Sequence, residues 1–305
     1  MVSPIFITAP GLVSFAVLRA WMASGREIRE IWARESGPKG GALLRFSALG
    51  VPIRILRPPF EQLPAVSEGA DALFTVLTFQ IVPEELLERF GSRALNLHPA
   101  LLPAMRGPAP RQAMLWENSA DRYGGLTVHV LEREIDRGPI VAQRAVPPGD
   151  GESWISWEER LAGAAAELFT DDVPKYLSGD TRSRSQADGS GFYRTARADE
   201  FVVTQEKSAA AVRRLLESQR GAPTVCRPEG GFRGGPPIVF VTRFQSILGP
   251  PQSRLPLCGR RYVELDVADA RVRLERPGLM HNWEELAALA RTRRAALEIG
   301  RSNAI

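Results

Sequence analysis

Short apolar runs alternate along the first half of the chain with segments whose apolar residues recur at helical spacing. The first run covers residues 4–8. After Pro10 and Gly11, apolar positions from Val13 to Trp21 follow the period of a helix. Four more apolar runs predict strands, at residues 28–32, 51–56, 73–77 and 94–98. A helix is predicted from Pro83 through Phe90. Because strands alternate with helices, the pattern predicts an α/β fold with a doubly wound, parallel-rich sheet.

The pattern changes after the fifth predicted strand. Residues 126–131 and 140–146 predict two strands around a turn at Asp136-Arg137-Gly138, and residues 153–176 predict one long helix. A polar stretch rich in Gly, Ser and Asp follows, so we predict domains at residues 1–180 and 192–305 joined by a linker at 181–191. The second domain is predicted to be smaller, mostly β and barrel-like, in the manner of an OB fold. Its predicted helices are at residues 208–218 and 283–299, and its predicted strands at 224–227, 238–244, 262–267 and 272–274.

Composition fits a globular protein of two domains. The chain has 305 residues, of which 44% are hydrophobic. Its net charge of +4 is uneven, because 19 Lys+Arg face 12 Asp+Glu from residue 190 onward. A basic second domain is compatible with a nucleic-acid or phosphate-bearing partner. No apolar run is long enough for a membrane helix and the first residues lack a basic start, so we expect a cytoplasmic protein. Cys226 and Cys258 lack the spacing of a metal site, so no metal is expected.

Two polar residues stand near the end of the strand predicted at residues 94–98. Asn96 and His98 alternate with Leu97, so their side chains point to one face, at the sheet edge where open parallel sheets bind ligands. Acyl transfer to an amine develops negative charge on an oxygen, which an amide can stabilise while an imidazole moves the proton. Asp136 is the carboxylate that could orient the imidazole, if the fold brings it there. Taken singly, each is also a common strand-end, cap or turn residue.

The order and spacing of these residues resemble the formyltransferase family. Its Asn-x-His element, followed by Ser-Leu-Leu-Pro and a basic-Gly step, corresponds to residues 96–107, written NLHPALLPAMRG, where Ala100 replaces the usual Ser. Its Gly-x-Thr-x-His and Asp-x-Gly elements are matched at residues 125–129 and 136–138. The resemblance implies a Rossmann-like first domain, direct formyl transfer from 10-formyltetrahydrofolate, and a catalytic trio of Asn96, His98 and Asp136.

The resemblance also implies where the folate lies. The segment at residues 78–83 falls where the family has an apolar lining of the folate pocket, and residues 132–136 match the loop that contacts the pterin through backbone groups. The predicted cofactor-binding residues are Phe79, Gln80, Ile81, Val82, Glu132, Arg133 and Ile135. We interpret His129 as a packed structural histidine, and the basic loop at residues 37–41 as a solvated loop that could touch an anionic acceptor.

The acceptor stays open at the level of sequence. We expect a primary amine on a small molecule, for example an amino sugar attached to a nucleotide. Formylation of methionyl-tRNA is the alternative, which the basic second domain favours and the absence of the usual Gly-Thr-Pro start opposes. A formyltetrahydrofolate hydrolase would use the same trio, and a folate-binding protein without catalysis is a further class. The oligomeric state is also open.

Overall fold

A seven-stranded sheet forms the centre of the first half of the chain. The computed structural model describes residues 2–34, 46–56, 63–78, 80–187, 193–194, 200–233 and 238–277. The strands of this sheet are β1 (Pro4–Thr8), β2 (Glu30–Arg34), β3 (Ile53–Leu56), β4 (Ala72–Val76), β5 (Ala94–His98), β6 (Gly125–Val130) and β7 (Ile140–Ala145). Their order across the sheet is β3-β2-β1-β4-β5-β6-β7. The first five strands are parallel to one another, and β6 pairs antiparallel with both β5 and β7. This confirms the predicted parallel-rich α/β fold.

Helices cover both faces of this sheet. They are α1 (Leu12–Ala23), α2 (Glu84–Phe90), α3 (Pro110–Trp116), α4 (Ala120–Tyr123), α5 (Trp154–Glu167) and α6 (Val173–Ser178). The central strands β1 and β4 are buried at every position, as expected for parallel strands covered on both sides. Phe6, Trp21, Phe74 and Phe169 pack edge-on in the core between the sheet and helices α1 and α5.

The single long helix predicted at residues 153–176 is wrong in one respect. Helices α5 and α6 are joined by a π turn at Leu168–Asp172. Pro174 lies in the first turn of α6 and has no N–H to donate to the preceding turn, so the regular hydrogen-bond ladder is interrupted there. The predicted start of the helix at residue 153 is correct, because the Ser153 side chain caps α5 by accepting the N–H of Ser156.

The second half of the chain contains two smaller sheets and one described helix, α7 (Ala209–Ser218). One sheet contains β8 (Val202–Val203), β9 (Thr224–Cys226) and β10 (Val239–Val241), and the other β11 (Arg243–Gly249), β12 (Leu257–Cys258), β13 (Tyr262–Asp266) and β14 (Arg271–Glu275). The single strand predicted at residues 238–244 is wrong, because Thr242 turns the chain from one sheet to the other. The helix predicted at residues 283–299 and the loop at 37–41 lie outside the described residues, and the domain boundaries stay a prediction.

The first and second halves of the chain contact each other close to the carboxyl ends of the parallel strands. The Arg194 N–H bonds to the Arg106 carbonyl over 2.7 Å, and the Arg194 side chain pairs with Glu117 at 2.6 Å. Further along, the Trp154 N–H donates to the Arg220 carbonyl at 3.0 Å. These contacts place Tyr193 beside Gly107, in the loop that follows β5. In the described parts of the chain, no helix has both the length and the apolar character needed to cross a membrane.

Candidate active site

Three neighbouring strands place polar side chains in one row across the sheet. The register pairs Thr75 of β4 with Asn96 of β5, and Asn96 with His129 of β6. The Thr75 hydroxyl donates to Asn96 Oδ1 over 2.7 Å, and Asn96 Nδ2 lies 2.9 Å from His129 Nε2. Thr75 and His129 are buried, whereas Asn96 is partly exposed in the wall of a cavity. The amide of Asn96 is thus held from both sides while it faces this cavity.

His98 ends strand β5 with its ring fixed by the loop that follows. Its Nε2 lies 2.9 Å from the Met105 carbonyl. A carbonyl can only accept, so Nε2 carries the proton and Nδ1 is the accepting nitrogen of the neutral ring. Burial lowers the pKa of His98, and this effect outweighs the opposing influence of Asp136. At neutral pH the ring is therefore uncharged, with Nδ1 available to take a proton.

Asp136 reaches the row from the turn between β6 and β7. Its φ of +57° lies in the left-handed region, which is uncommon for residues other than glycine. Gln186 holds this turn, because its Nε2 donates to the carbonyls of Asp136 at 2.9 Å and Gly138 at 2.8 Å. A Cβ at Gly138 would lie 1.9 Å from the Val130 carbonyl oxygen, so only glycine allows the approach. The turn directs the carboxylate back over β5.

The Asp136 carboxylate lies between two imidazoles. Its Oδ2 accepts the Gly107 N–H over 2.8 Å and lies 3.6 Å from His98 Nδ1, and its Oδ1 lies 3.5 Å from His129 Nε2. Burial alone would raise the pKa of Asp136. The two histidines and the Gly107 N–H outweigh that effect and lower it well below its usual range. Asp136 is thus a fixed negative charge, placed to stabilise His98 once its Nδ1 accepts a proton.

These side chains open into a cavity of about 420 Å³, a size typical of small-molecule sites. Asn96, His98 and Asp136 all line it. So do six of the residues predicted to contact folate: Gln80, Ile81, Val82, Glu132, Arg133 and Ile135. Phe79, the seventh, lies outside the described residues. Ile81 is 63% exposed and Ile135 49%, so this part of the wall presents apolar surface that a flat ligand would cover.

The other part of the cavity wall comes from different segments. It is formed by residues 9–14, residues 107–112, Glu158 and Tyr193. Arg111, in the first turn of α3, is paired with Glu158 at 2.8 Å, and its guanidinium lies over the Trp154 ring. Two sets of segments thus contribute to the wall of the same cavity as Asn96 and His98.

Sequence reasoning missed four groups of this site: the Thr75 hydroxyl, the His129 ring, the Met105 carbonyl and the Gly107 N–H. His129 is buried, as interpreted, but it also contacts Asn96 and Asp136. Its alternation within β6 could have indicated which face it takes, although not which residue it would meet. For the described residues, no group of three or more His, Cys, Asp or Glu side chains could hold a metal ion.

Comparison with known proteins finds a family that this region resembles. Residues 65–173 match the family model for formyl transferase. Methionyl-tRNA formyltransferase of Streptococcus gordonii is 35% identical over 118 residues, covering 39% of this chain and 37% of that protein. The enzyme of the same name from Methylococcus capsulatus is 31% identical over 199 residues, covering 59% and 63%. Residues 65–173 of this chain are thus similar to the formyl transferase family.

The fold agrees with that assignment over a longer stretch. The N-formyltransferase of Helicobacter canadensis, solved with folinic acid and dTDP-3-aminofucose, gives a TM-score of 0.54 at 13% identity and covers 90% of this chain and 99% of that one. At this identity the likeness is one of fold, the Rossmann-like fold of formyltransferases. The match to the two curated relatives spans 37% and 63% of their lengths.

Proposed function

We propose that this protein is an enzyme that transfers a formyl group from 10-formyltetrahydrofolate to a primary amine of a small-molecule acceptor, for example an amino-sugar nucleotide. One observation carries the proposal. Asn96, His98 and Asp136 line one cavity, where the Asp136 carboxylate lies 3.6 Å from His98 Nδ1. The folate supplies the formyl group when bound.

The residues of the cavity fit such a donor. The half lined by Ile81, Val82 and Ile135 presents apolar surface to a flat ring system. Glu132 and Arg133 lie at the same side, where backbone groups of the loop can bind polar ring atoms. We therefore assign this half to the folate and the half around residues 107–112 and Tyr193 to the amine.

Each polar side chain then has a role that its contacts support. Asn96 donates from Nδ2 to the oxygen that gains negative charge when an amine adds to the formyl carbon. His98 accepts the amine proton at Nδ1, since Nε2 is engaged by the Met105 carbonyl, and can return it to the folate nitrogen when the bond between that nitrogen and the formyl carbon breaks. Asp136 stabilises the resulting imidazolium across 3.6 Å. No nucleophilic side chain is needed for direct transfer.

Methionyl-tRNA is the second candidate acceptor. It is favoured by the curated relatives, which are methionyl-tRNA formyltransferases at 31% and 35% identity. The excess of Lys and Arg after residue 190 is also compatible with a phosphate-rich acceptor.

Turnover with a panel of acceptors tests the proposal. Tetrahydrofolate release is measured with amino-sugar nucleotides, with charged methionyl-tRNA, and without acceptor, and the product mass is determined. We expect release that depends on an amino-sugar nucleotide and is lost in Asn96→Ala. Release only with the charged tRNA, with a rate that falls steeply as salt increases, would assign the second candidate. Equal release without any acceptor would identify a hydrolase and contradict transfer.

A further inference from the structure

The side-chain amide of Asn96 has two possible orientations, which differ by exchange of Oδ1 and Nδ2. Its neighbours on β4 and β6, Thr75 and His129, determine which orientation it adopts. His129 Nδ1 lies 2.8 Å from the Val130 carbonyl. Since a carbonyl only accepts, Nδ1 carries a proton, and the neutral His129 ring has a bare lone pair at Nε2. That lone pair can accept a hydrogen bond but cannot donate one.

The bare Nε2 selects the orientation of the amide. Asn96 must then direct Nδ2 toward His129, at 2.9 Å, and Oδ1 toward the Thr75 hydroxyl, at 2.7 Å. In the reversed orientation Oδ1 would face the His129 lone pair, which is repulsive. Thr75 alone does not decide, because a hydroxyl both donates and accepts and could turn toward the Leu95 carbonyl at 3.4 Å.

We propose that His129 and Thr75 are positioning residues, which hold the Asn96 amide with Oδ1 engaged in the sheet and Nδ2 as the donor at the cavity. One hydrogen of Nδ2 bonds to His129, and the other is left for a ligand oxygen in the cavity that Asn96 lines. The consequence for catalysis rests on the proposed function, whereas the orientation itself does not.

A protonated His129 is the competing arrangement. Its Nε2 would then donate, and Asp136 Oδ1 at 3.5 Å would be its acceptor. The amide would then be reversed, with Nδ2 toward the Thr75 hydroxyl at 2.7 Å, a separation typical of an O–H···O bond and short for an N–H···O bond. The geometry thus favours the neutral ring paired with the amide.

NMR of protein labelled with ¹⁵N in His and Asn tests the orientation without any substrate. The chain has three histidines and four asparagines, so the spectra are sparse, and Asn96→Asp and His129→Gln assign the two signals. At pH 8 we expect His129 in the neutral form with the proton on Nδ1, and a scalar coupling between Asn96 Nδ2 and His129 Nε2 through their hydrogen bond. A proton on Nε2 would overturn the proposal, whether or not the protein transfers formyl groups.

Paired substitutions test the catalytic consequence once an acceptor is known. We expect His129→Leu to lower kcat by about tenfold to a hundredfold, approaching the effect of losing an oxyanion donor, with the KM for folate within about twofold. His129→Gln has an acceptor oxygen for Nδ2 and should restore part of the loss. Thr75→Val should lower kcat more than Thr75→Ser, which has a hydroxyl.

Leu73→Val is the matched control for Thr75→Val, because Leu73 is buried on the same face of β4 but packs in the core. It should lower the melting temperature and leave kcat unchanged. A folded His129→Leu or Thr75→Val protein with kcat within about twofold of the parent would contradict the positioning role. Since His129→Leu removes a group from a fully buried site, Thr75→Val keeps the test decisive if His129→Leu does not fold.

Discussion

Replacing Asp136 by Asn removes the negative charge that faces His98 and leaves the shape of the turn nearly unchanged. The new amide oxygen can still accept the Gly107 N–H, which Asp136 accepts at 2.8 Å. Only the interaction of the charge with His98 and His129 is lost. At 3.6 Å and an effective dielectric constant of about 20, two unit charges interact by about 4 to 5 kcal/mol. This attraction favours the protonated ring of His98 and so raises its pKa.

The sign of the change follows from the role of Asp136. Its carboxylate raises the pKa of His98 against the dominant effect of burial, so its removal lowers that pKa further. In a profile of kcat/KM from pH 5 to 9, we expect the parent to lose activity toward acid as Nδ1 becomes protonated. In Asp136→Asn this acid limb should move to lower pH and flatten the profile over that range. The plateau should also fall, by about a hundredfold or more, because the imidazolium forms without its counter-charge.

A matched control is available two residues away. Glu134 carries the same charge, but its side chain is 72% exposed and pairs with Arg137 at 3.0 Å outside the cavity wall. Glu134→Gln should leave both the profile and the plateau unchanged, since solvent screens this carboxylate. An acid limb that stays in place in Asp136→Asn, or moves to higher pH, would refute the assignment of Nδ1 as the proton acceptor.

Four further outcomes are expected. Asn96→Ala should lower kcat by about a hundredfold with folate affinity nearly unchanged, as measured by steady-state kinetics and calorimetry. Gly138→Ala should lower the melting temperature sharply or prevent folding, because its Cβ would lie 1.9 Å from the Val130 carbonyl oxygen. Gly163→Ala, on the exposed face of α5 with open space around it, should raise the melting temperature slightly in the same assay. For His98, the lowered pKa means that its stabilising contribution is complete above the ordinary value of 6.5 and is lost as the pH falls below it. The melting temperature should therefore decline from pH 7 to 5, and less so in His98→Gln.

The strands of the first half could be predicted from sequence because each is a short apolar run with polar or Gly/Pro-rich ends. Strand β5 occupies the predicted residues 94–98. The lateral pairing of strands could not be predicted in the same way, because periodicity shows which face a side chain takes but not its neighbour on the next strand. That Thr75 and His129 flank Asn96 depends on the register of β4 and β6 against β5. The roles of both residues therefore emerged only from the structure.

Backbone groups were beyond sequence reasoning for a related reason. The Met105 carbonyl fixes the His98 tautomer and the Gly107 N–H binds Asp136, and both lie in a loop whose path no residue pattern specifies. In the second half, short strands were placed nearly correctly, but the run at residues 238–244 was divided between two sheets. Hydrophobic periodicity does not distinguish one strand from two strands joined by a single residue.

The functional groups of the site are positioned by two kinds of backbone: regular sheet, and loop or turn residues with positive φ. The amide of Asn96 is positioned by regular sheet, whose hydrogen bonds fix its neighbours on both sides. The positions of the His98 ring and the Asp136 carboxylate depend instead on three residues with positive φ. These are Met105 at +55°, Gly107 at +99° and Asp136 at +57°. For the two that are not glycine, this conformation costs about 1 to 2 kcal/mol each. At position 105 the backbone carbonyl makes the contact with His98, whereas at position 136 the side chain itself faces both histidines. Glycine at position 136 would adopt this φ without strain, but it has no carboxylate to face the two histidines. The strain at Asp136 therefore accompanies the side chain that the site needs.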